Sequence, residues 1–276
     1  MENFSHFDSA FNVNKTSTYH ITIQFCPDGY AYCIKDTIRK QYVAVKNDDF
    51  SESSRTSYVD KIKDVIKSDA YLNKSYKSVD LIFRSEKFTL VPGELFNKSF
   101  LKSYFKFNLN YKDDEEIHFN RLKEADAYNL FAIPANITTF LVNKFPEVKF
   151  YQQGTPIIEN LILKTKESKS DSPTVFINVF KDSLDFISVS KGKLLFYNIF
   201  KYRTPEDFLY FILNNLKCLG YEANKTEFIL AGDIDENSEL YLKTYKYFAN
   251  YKFAKVNSEY SFSFNIPEHK LTNILI

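Results

Sequence analysis

The chain has 276 residues, of which 44% are hydrophobic and 26% are charged, a composition typical of a globular protein with one large or two small domains. Its 36 lysines and arginines nearly balance its 35 aspartates and glutamates, which argues against a dedicated nucleic-acid binder, because such proteins carry a basic excess. No stretch approaches about 18 uninterrupted apolar residues, so the sequence predicts no membrane-spanning helix.

The N-terminus and the cysteines indicate a compartment. The opening residues, MENFSHFDSAF, lack the basic stretch and apolar core of a signal peptide. The three cysteines, Cys26, Cys33 and Cys218, are odd in number and sparse, which is typical of free thiols in a reducing environment. We therefore expect a cytoplasmic protein.

Glycine is scarce. The chain contains only 6 glycines, roughly 2% of its residues against about 7% in typical proteins. Loops that wrap phosphate groups rely on glycine, because the backbone must approach the ligand closely. The sequence has neither G-x-x-x-x-G-K-[ST] nor G-x-G-x-x-G, the common phosphate-binding motifs. It therefore offers few places to build a nucleotide site.

Three strands are predicted at the start of the chain. YHITIQFC alternates in a strand-like way, YAYCIKD returns as the second strand, and QYVAVK is the third. Asp28-Gly29 joins the first two as a hairpin turn, since both residues tolerate positive φ. The pattern then predicts a helix over 58–66, strands at 79–83 and 88–92, a helix over 93–107, a strand ending at 134, a helix over 135–144, a strand at 148–152 and a helix from 155.

A polar segment divides the chain. KTKESKSDSP, at 164–173, is typical of a linker, so we predict two domains, at 1–170 and 171–276. In the second, TVFINVF, LDFISVS and KLLFYNIF are predicted strands, followed by a helix that begins at Thr204-Pro205 and ends at Gly220. TEFILAG is then a strand, SELYLKTYKYFAN a helix and KFAKV a strand.

The two halves repeat one plan. Each has a hairpin, a third strand, a helix, a buried strand and a helix. The turns at Asp28 and Asp182 are 154 residues apart, as are the third strands centred on Val43 and Tyr197. Since few residues are identical between the copies, we interpret this as a topological repeat, an α/β architecture of duplicated βββαβα units.

This plan resembles the two-lobed actin-like ATPase fold, which is ribonuclease H-like and is shared by sugar kinases, actin and heat-shock chaperones. More closely, the whole chain resembles a small uncharacterised bacterial family of that fold. The segments that carry the resemblance are Tyr42-Val43-Ala44, Thr89-Leu90-Val91-Pro92, Glu94-Leu95-Phe96, Asn129-Leu130-Phe131-Ala132-Ile133-Pro134, Ala231-Gly232-Asp233 and Ile266-Pro267-Glu268-His269. The resemblance implies two lobes with a cleft between them, and no assigned activity.

The resemblance also implies where a nucleotide would bind. In working members, an Asp near a Gly in each opening hairpin holds the metal through water, and backbone N–H groups bind phosphate. Matching positions here are Asp28-Gly29, Asp182-Ser183 and, for the adenosine loop, Gly232-Asp233. Pro27 lacks an N–H, Tyr30 and Tyr32 replace small residues, and the second turn has no glycine. We therefore interpret the six residues as a vestigial nucleotide cleft and expect no cofactor, with ATP and Mg²⁺ as the alternative.

Other candidate sites are weaker. Asp233-Ile234-Asp235-Glu236-Asn237 has the spacing of a calcium loop, but Ser238 and Thr244 stand where glycine and glutamate are needed, so we predict a helix start. His6, His20, His118 and His269 lie far apart in sequence and form no metal-binding spacing. No catalytic residue and no metal site is predicted.

Two functions follow from these observations. The first is a non-catalytic actin-like protein that binds an unidentified protein partner as a cytoplasmic scaffold, with tyrosines such as Tyr241, Tyr245, Tyr247 and Tyr251 as anchors. The second is a weak ATPase or kinase with an altered site, in which Asp28 or Asp182 positions Mg²⁺. No nucleic-acid partner is expected.

Overall fold

The computed structural model describes residues 3–50, 57–168, 172–248, 250–256 and 259–275. Its strands and helices fall into a six-stranded, a five-stranded and a three-stranded sheet with helices packed against them. In chain order they are β1 (Phe4–Phe7), β2 (Tyr19–Phe25), β3 (Gly29–Asp36), β4 (Gln41–Asp49), α1 (Tyr58–Ser68), β5 (Ser78–Phe83), β6 (Phe88–Pro92), α2 (Leu101–Asn108), β7 (Glu115–Leu122), β8 (Ala127–Pro134), α3 (Ala135–Lys144), β9 (Val148–Gln152), α4 (Gly154–Ser168), β10 (Thr174–Val179), β11 (Ser183–Ser190), β12 (Lys193–Lys201), α5 (Pro205–Leu219), β13 (Glu227–Gly232), α6 (Glu239–Thr244) and β14 (Asn250–Phe253).

The first sheet has the strand order β1–β4–β3–β2–β5–β9. Strands β2, β3 and β4 are antiparallel, whereas β5 and β9 run parallel to β2. Because side chains alternate along a strand, Ile21, Ile23 and Phe25 share one face, where they belong to the same core as Ile62 of α1 and Ile137 of α3. The opposite face carries the polar residues of β2.

The second sheet has the order β12–β11–β10–β13–β14. Its strand directions repeat those of β4–β3–β2–β5–β9, since β10, β11 and β12 are antiparallel and β13 and β14 run parallel to β10. Val175 and Ile177 share a core with Phe208 of α5, and Phe176, on the other face, packs with Ile158 of α4. The predicted topological repeat is therefore confirmed.

The third sheet, β6–β8–β7, is inserted in the first half of the chain between β5 and α3. Helix α2 covers it through Phe105, which packs with Val91 and Leu130. The sequence predicted neither β7 nor β1. The pattern of β7 is masked by polar residues, and β1 is only four residues long.

The ends of helix α5 agree with the sequence prediction, whereas helix α4 is longer than predicted. Thr204 is the N-cap of α5 and forms a capping box with Asp207, and Gly220 ends the helix at φ 70°, as predicted. Helix α4, however, continues to Ser168, so the first part of the predicted linker is helical. Its buried residues Leu161 and Ile162 anchor the helix, and its lysines and glutamates are good helix formers.

The C-terminal residues return to the first sheet. Leu271, Ile274 and Leu275 are buried with Cys33 and Tyr42 of the first sheet. The Ser261 backbone N–H donates to the Lys40 carbonyl at 2.9 Å. Residues 169–171, around the predicted boundary, lie outside the described part of the chain, so the division into 1–170 and 171–276 stays a prediction.

Candidate functional site

The turns that begin the two sheets have the same backbone hydrogen bonds. In the first turn, Cys26 N–H donates to the Gly29 carbonyl at 2.9 Å, and in the second Phe180 N–H donates to the Ser183 carbonyl at 2.9 Å. The carbonyl of Asp28 accepts from Phe50 at 2.9 Å, and that of Asp182 accepts from Tyr202 at 3.0 Å. The structure therefore places the two predicted turns in equivalent settings.

Asp28 and Gly29 make a turn of a different kind from the one expected. Neither residue has positive φ, so that part of the prediction is wrong. A Cβ at Gly29 would lie 2.6 Å from the Asp48 carbonyl oxygen, which explains the glycine by the close approach of β4. The Asp28 side chain is exposed and lines a small cavity between the two turns.

Asp182 is engaged with the first lobe. Its Oδ1 lies 3.3 Å from Nη2 of Arg84, whose side chain is only 3% exposed, and it accepts a hydrogen bond from the Ser183 hydroxyl at 2.9 Å. The Arg84 guanidinium also lies 4.0 Å above the centre of the Phe180 ring. Asp182 therefore helps to hold the two lobes together, and the Ser183 hydroxyl orients its carboxylate. No pattern in the sequence indicated a role for Arg84.

Gly232 and Asp233 follow β13. Gly232 has φ +83°, and a Cβ there would lie 2.1 Å from the Val179 carbonyl oxygen, so no other residue fits without displacing β10. The Asp233 N–H donates to that same carbonyl at 2.8 Å. Asp233 lines the cavity with Asp28, which brings these two predicted residues together.

The cavity between the turns is small, with a volume of about 50 Å³. Gln24 and Lys181 line it as well. Leu271 and Asn273 of the C-terminal segment, residues 259–275, complete its wall. Pockets for small-molecule ligands usually measure roughly 300–1,000 Å³, so a nucleotide would enter only if the C-terminal segment moved. The alternation of Phe262, Phe264 and Ile266 was a sequence signal that this segment packs as an extended chain.

A buried polar network lies beside the cavity. Asn178 donates to Oδ2 of Asp185 at 3.2 Å and to Oδ1 of Asn273 at 3.0 Å. Gln153 donates to Oδ1 of Asp185 at 3.4 Å. Burial raises the pKa of Asp185 to about 6, against the opposing effects of Arg84 and of the two hydrogen bonds. The network joins both sheets to the C-terminal segment.

Gln24 occupies the matching place in the first lobe. It is paired in register with Ala31, as Asn178 is with Asp185. Its side chain is 5% exposed, and its amide nitrogen has no hydrogen-bond partner among the described residues. A buried amide without a partner is unfavourable, and the adjacent cavity is large enough for a water molecule.

A second polar cluster, on the adjacent interior strands β2 and β5 of the first sheet, was missed by sequence reasoning. His20 Nδ1 lies 2.8 Å from the Ser78 hydroxyl and its Nε2 lies 3.1 Å from the Thr22 hydroxyl. Asp80 Oδ2 is 3.7 Å from Nε2. Burial, helped by Lys35, lowers the pKa of His20 to about 4. The parallel pairing of β2 with β5 assembles this cluster from distant sequence positions.

Two further kinds of feature are absent from the described part of the chain. The described ranges contain no group of three or more His, Cys, Asp or Glu residues arranged to hold a metal ion. Within the same ranges, no helix is both long and apolar enough to cross a membrane. Asp235 and Asn237 form a turn before the α6 N-cap, Ser238, so the predicted helix start is confirmed.

Comparisons with known proteins agree with the geometry. Residues 8–251 match the family described as "Protein of unknown function (DUF3822)". A protein of actin-like ATPase fold and unknown function from Bacteroides thetaiotaomicron VPI-5482 is 27% identical, with 89% of this chain and 94% of that chain covered and a TM-score of 0.79. A chain of the PilM-PilN type IV pilus biogenesis complex is 7% identical, with coverages of 86% and 88% and a TM-score of 0.57. No curated protein matches. The fold is that of the actin-like ATPases.

Proposed function

This chain belongs to the DUF3822 family, and because that family's function is unknown, we propose one from the structure: a non-catalytic protein of actin-like ATPase fold that acts as a protein-interaction or scaffold module. The observation that carries this proposal is the cavity between the two turns. Its volume is about 50 Å³, far below the roughly 300 Å³ at which ligand pockets begin.

The side chains at the turns support the same conclusion. Asp182, which would position a metal ion, is paired with Arg84. Gly232 is required by the contact with Val179, so its presence is explained without a nucleotide. Tyr30 points into the first core, where its hydroxyl accepts from Lys46 at 2.9 Å. Each of these residues has a structural partner in place of a phosphate or a metal.

A surface for a partner is available on the second lobe. Tyr245, Tyr247 and Tyr251 are exposed, together with Leu242, whereas Tyr241 is buried. Tyrosine is enriched at protein interfaces, so the exposed three are the anchors we propose. We further propose that the protein is cytoplasmic, because its three cysteines are free, and that the repeated topology arose by internal duplication.

Calorimetric titration of the full chain with ATP and Mg²⁺ tests the proposal. We expect no binding heat at millimolar nucleotide, because the cavity is too small and Asp182 is already paired. A clear heat with a defined stoichiometry would refute it. Capture of partners from cell extract, compared between the native chain and a Tyr245→Ser, Tyr247→Ser variant, tests the binding surface. Tyr210→Ser, on the exposed side of α5, is the matched control.

A weak ATPase or kinase is the second candidate, and one observation favours it. Asp28 and Asp233 line the same cavity as Lys181, so acidic groups for a metal and a cation for phosphate lie together. Access would require the C-terminal segment to leave the cleft. Titration of a variant that lacks residues 268–276 separates the two functions: heat in the variant alone indicates a nucleotide site that this segment covers.

A further inference from the structure

A groove of about 620 Å³ lies on the side of the second sheet that faces α4. Its apolar lining comes from Leu161 of α4, Phe176 of β10 and Ile229 of β13, with Ala254 and Leu275 beside them. The volume is well within the range of small-molecule and peptide pockets, and more than ten times that of the cavity between the turns. None of the residues matched to the nucleotide cleft lines it.

Positive charge surrounds this groove. Lys164 comes from α4, and Lys252 and Lys255 come from β14 and the segment that follows it. Glu227 is the acidic residue of the lining, and it is paired with Lys252. Lys255 is exposed and has no ion pair among the described residues. Glu167 and Glu268 act on Lys164 from outside the lining, but they do not offset its burial and the charge of Lys252, so the groove is complementary to an anionic group.

Lys164 is the most constrained of the three lysines. Its only described hydrogen bond is to the Lys255 carbonyl oxygen, at 3.3 Å. Burial and the nearby charge of Lys252 lower its pKa, and the smaller opposing effects of Glu167 and Glu268 do not restore it. A half-buried ammonium beside a second cation is stabilised when a carboxylate binds next to it.

One wall of the groove is an edge strand. Within the described residues, β14 pairs only with β13, so its outer backbone groups face away from the sheet. Such an edge accepts an extended peptide through main-chain hydrogen bonds, and adjoining pockets hold its alternate side chains. A fatty acid, the other ligand with an apolar body and an anionic group, would leave these backbone donors and acceptors unpaired. The edge strand therefore favours a peptide.

We propose that the groove between α4 and β14 binds a short extended peptide segment of a partner protein, with apolar side chains in the groove and acidic side chains at Lys164 and Lys255. This inference rests on the proposed protein-interaction function and identifies the chemistry of the partner. The apolar floor supplies affinity, and the lysines select acidic sequences.

The test uses a displayed library of random eight-residue peptides, selected on the full chain. We expect the selected sequences to combine aromatic or aliphatic residues with Asp or Glu. Fluorescence anisotropy with the corresponding synthetic peptides should show binding about tenfold weaker for Lys164→Glu and for the exposed Lys255→Glu. Affinity should also fall as salt is raised, because the charges are near the surface.

Lys67→Glu makes the same charge change on an exposed residue of α1 and should leave the affinity unchanged. Thermal melting shows whether each variant is folded. If Lys164→Glu does not fold, the affinity of Lys255→Glu alone decides the test. Peptides without acidic enrichment, or equal binding by all variants, would overturn the inference. Two other results would also overturn it. One is that no peptide is selected while decanoate, a fatty acid, raises the melting temperature of the native chain but not of Lys164→Glu. The other is that the protein is a dimer that Lys255→Glu dissociates. ATP binding, by contrast, would refute the proposed function whatever the peptides show.

Discussion

At matching positions of their central hairpins, the first and second sheets carry different pairs of residues. The first has Gln24 opposite Ala31, and the second has Asn178 opposite Asp185. Asn178 and Asp185 are hydrogen-bonded to each other and to Asn273 and Gln153, whereas the amide nitrogen of Gln24 has no partner among the described residues. The same backbone thus holds a satisfied polar network in one lobe and an incomplete one in the other.

The difference shows how the backbone is kept while its chemistry changes. Both turns retain their hydrogen bonds, because these define how the hairpin closes. The side chains around them serve other purposes: Asp182 pairs with Arg84 across the lobes, and Asn178 holds the C-terminal segment through Asn273. The second lobe therefore supplies one side chain to each of these two contacts.

The largest effect is expected at the end of β13. Gly232 is matched in the first sheet by Phe83, since each pairs with the last residue of the hairpin's first strand. Gly232→Ala should lower the free energy of unfolding by roughly 3–5 kcal/mol, because its Cβ would overlap the Val179 carbonyl. Urea denaturation measures this. Gly220→Ala, which also has positive φ but open space around it, should lose only about 1–2 kcal/mol.

The second prediction concerns the two amides. Asn178→Leu should destabilise the protein by about 2–3 kcal/mol, because Asp185 and Asn273 lose a buried partner. Gln24→Leu should leave stability unchanged or raise it by up to about 1 kcal/mol, since its amide nitrogen has no partner to lose. Both are measured by denaturation at pH 7. Equal losses in the two variants would mean that the lobes do not differ in this way.

The third prediction is a pH dependence from the second lobe. The pKa of Asp185 is raised to about 6, so the folded protein binds its proton more tightly than the unfolded chain does. Stability from this group is present below pH 4 and is lost as the pH rises through 6, a change of roughly 3 kcal/mol at about 1.4 kcal/mol per pKa unit. Asp185→Asn should remove this slope.

The measurement is the difference in unfolding free energy between the native chain and Asp185→Asn at pH 4, 5, 6 and 7. His20, whose pKa is lowered to about 4, produces a slope of opposite sign: between pH 6.5 and 4 the unfolded chain binds a proton that the buried ring does not, so stability falls as the pH is lowered. That contribution cancels in the difference. Asp28→Asn, in the first turn, is the control variant. If the unfolding free energy of Asp185→Asn depended on pH in the same way as that of the native chain, the prediction would be contradicted.

The smallest effect is expected at the two turn aspartates. Asp182→Ala should lower stability by about 1 kcal/mol, because the buried Arg84 loses its ion pair although Asp182 itself is largely exposed. Asp28→Ala should change stability by less than about 0.5 kcal/mol, as is usual for an exposed residue. Thermal denaturation resolves the two. A larger loss at Asp28 would show that the first turn, not the second, bears the contact between lobes.

Much of this protein was determined by local sequence. The strands of the two larger sheets, apart from β1, follow from alternation and β-branched residues, and α5 follows from Thr204 and Gly220. Repeated spacing of the turns predicted the topological repeat, because the same order of elements forms the same sheet order, and the family resemblance implied the two lobes. The scarcity of glycine indicated loops poorly suited to phosphate. These signals act over a few residues, so they can be recognised in the sequence.

The contents of the cleft were decided only by tertiary structure. The pairing of Arg84 with Asp182, the cluster around His20 and the return of Asn273 to Asn178 join residues that are 58 to 98 positions apart. No local pattern specifies such contacts, because they depend on how the sheets and the C-terminal segment pack. For the same reason, Gly29 was predicted as a turn glycine, whereas the approach of Asp48 requires it.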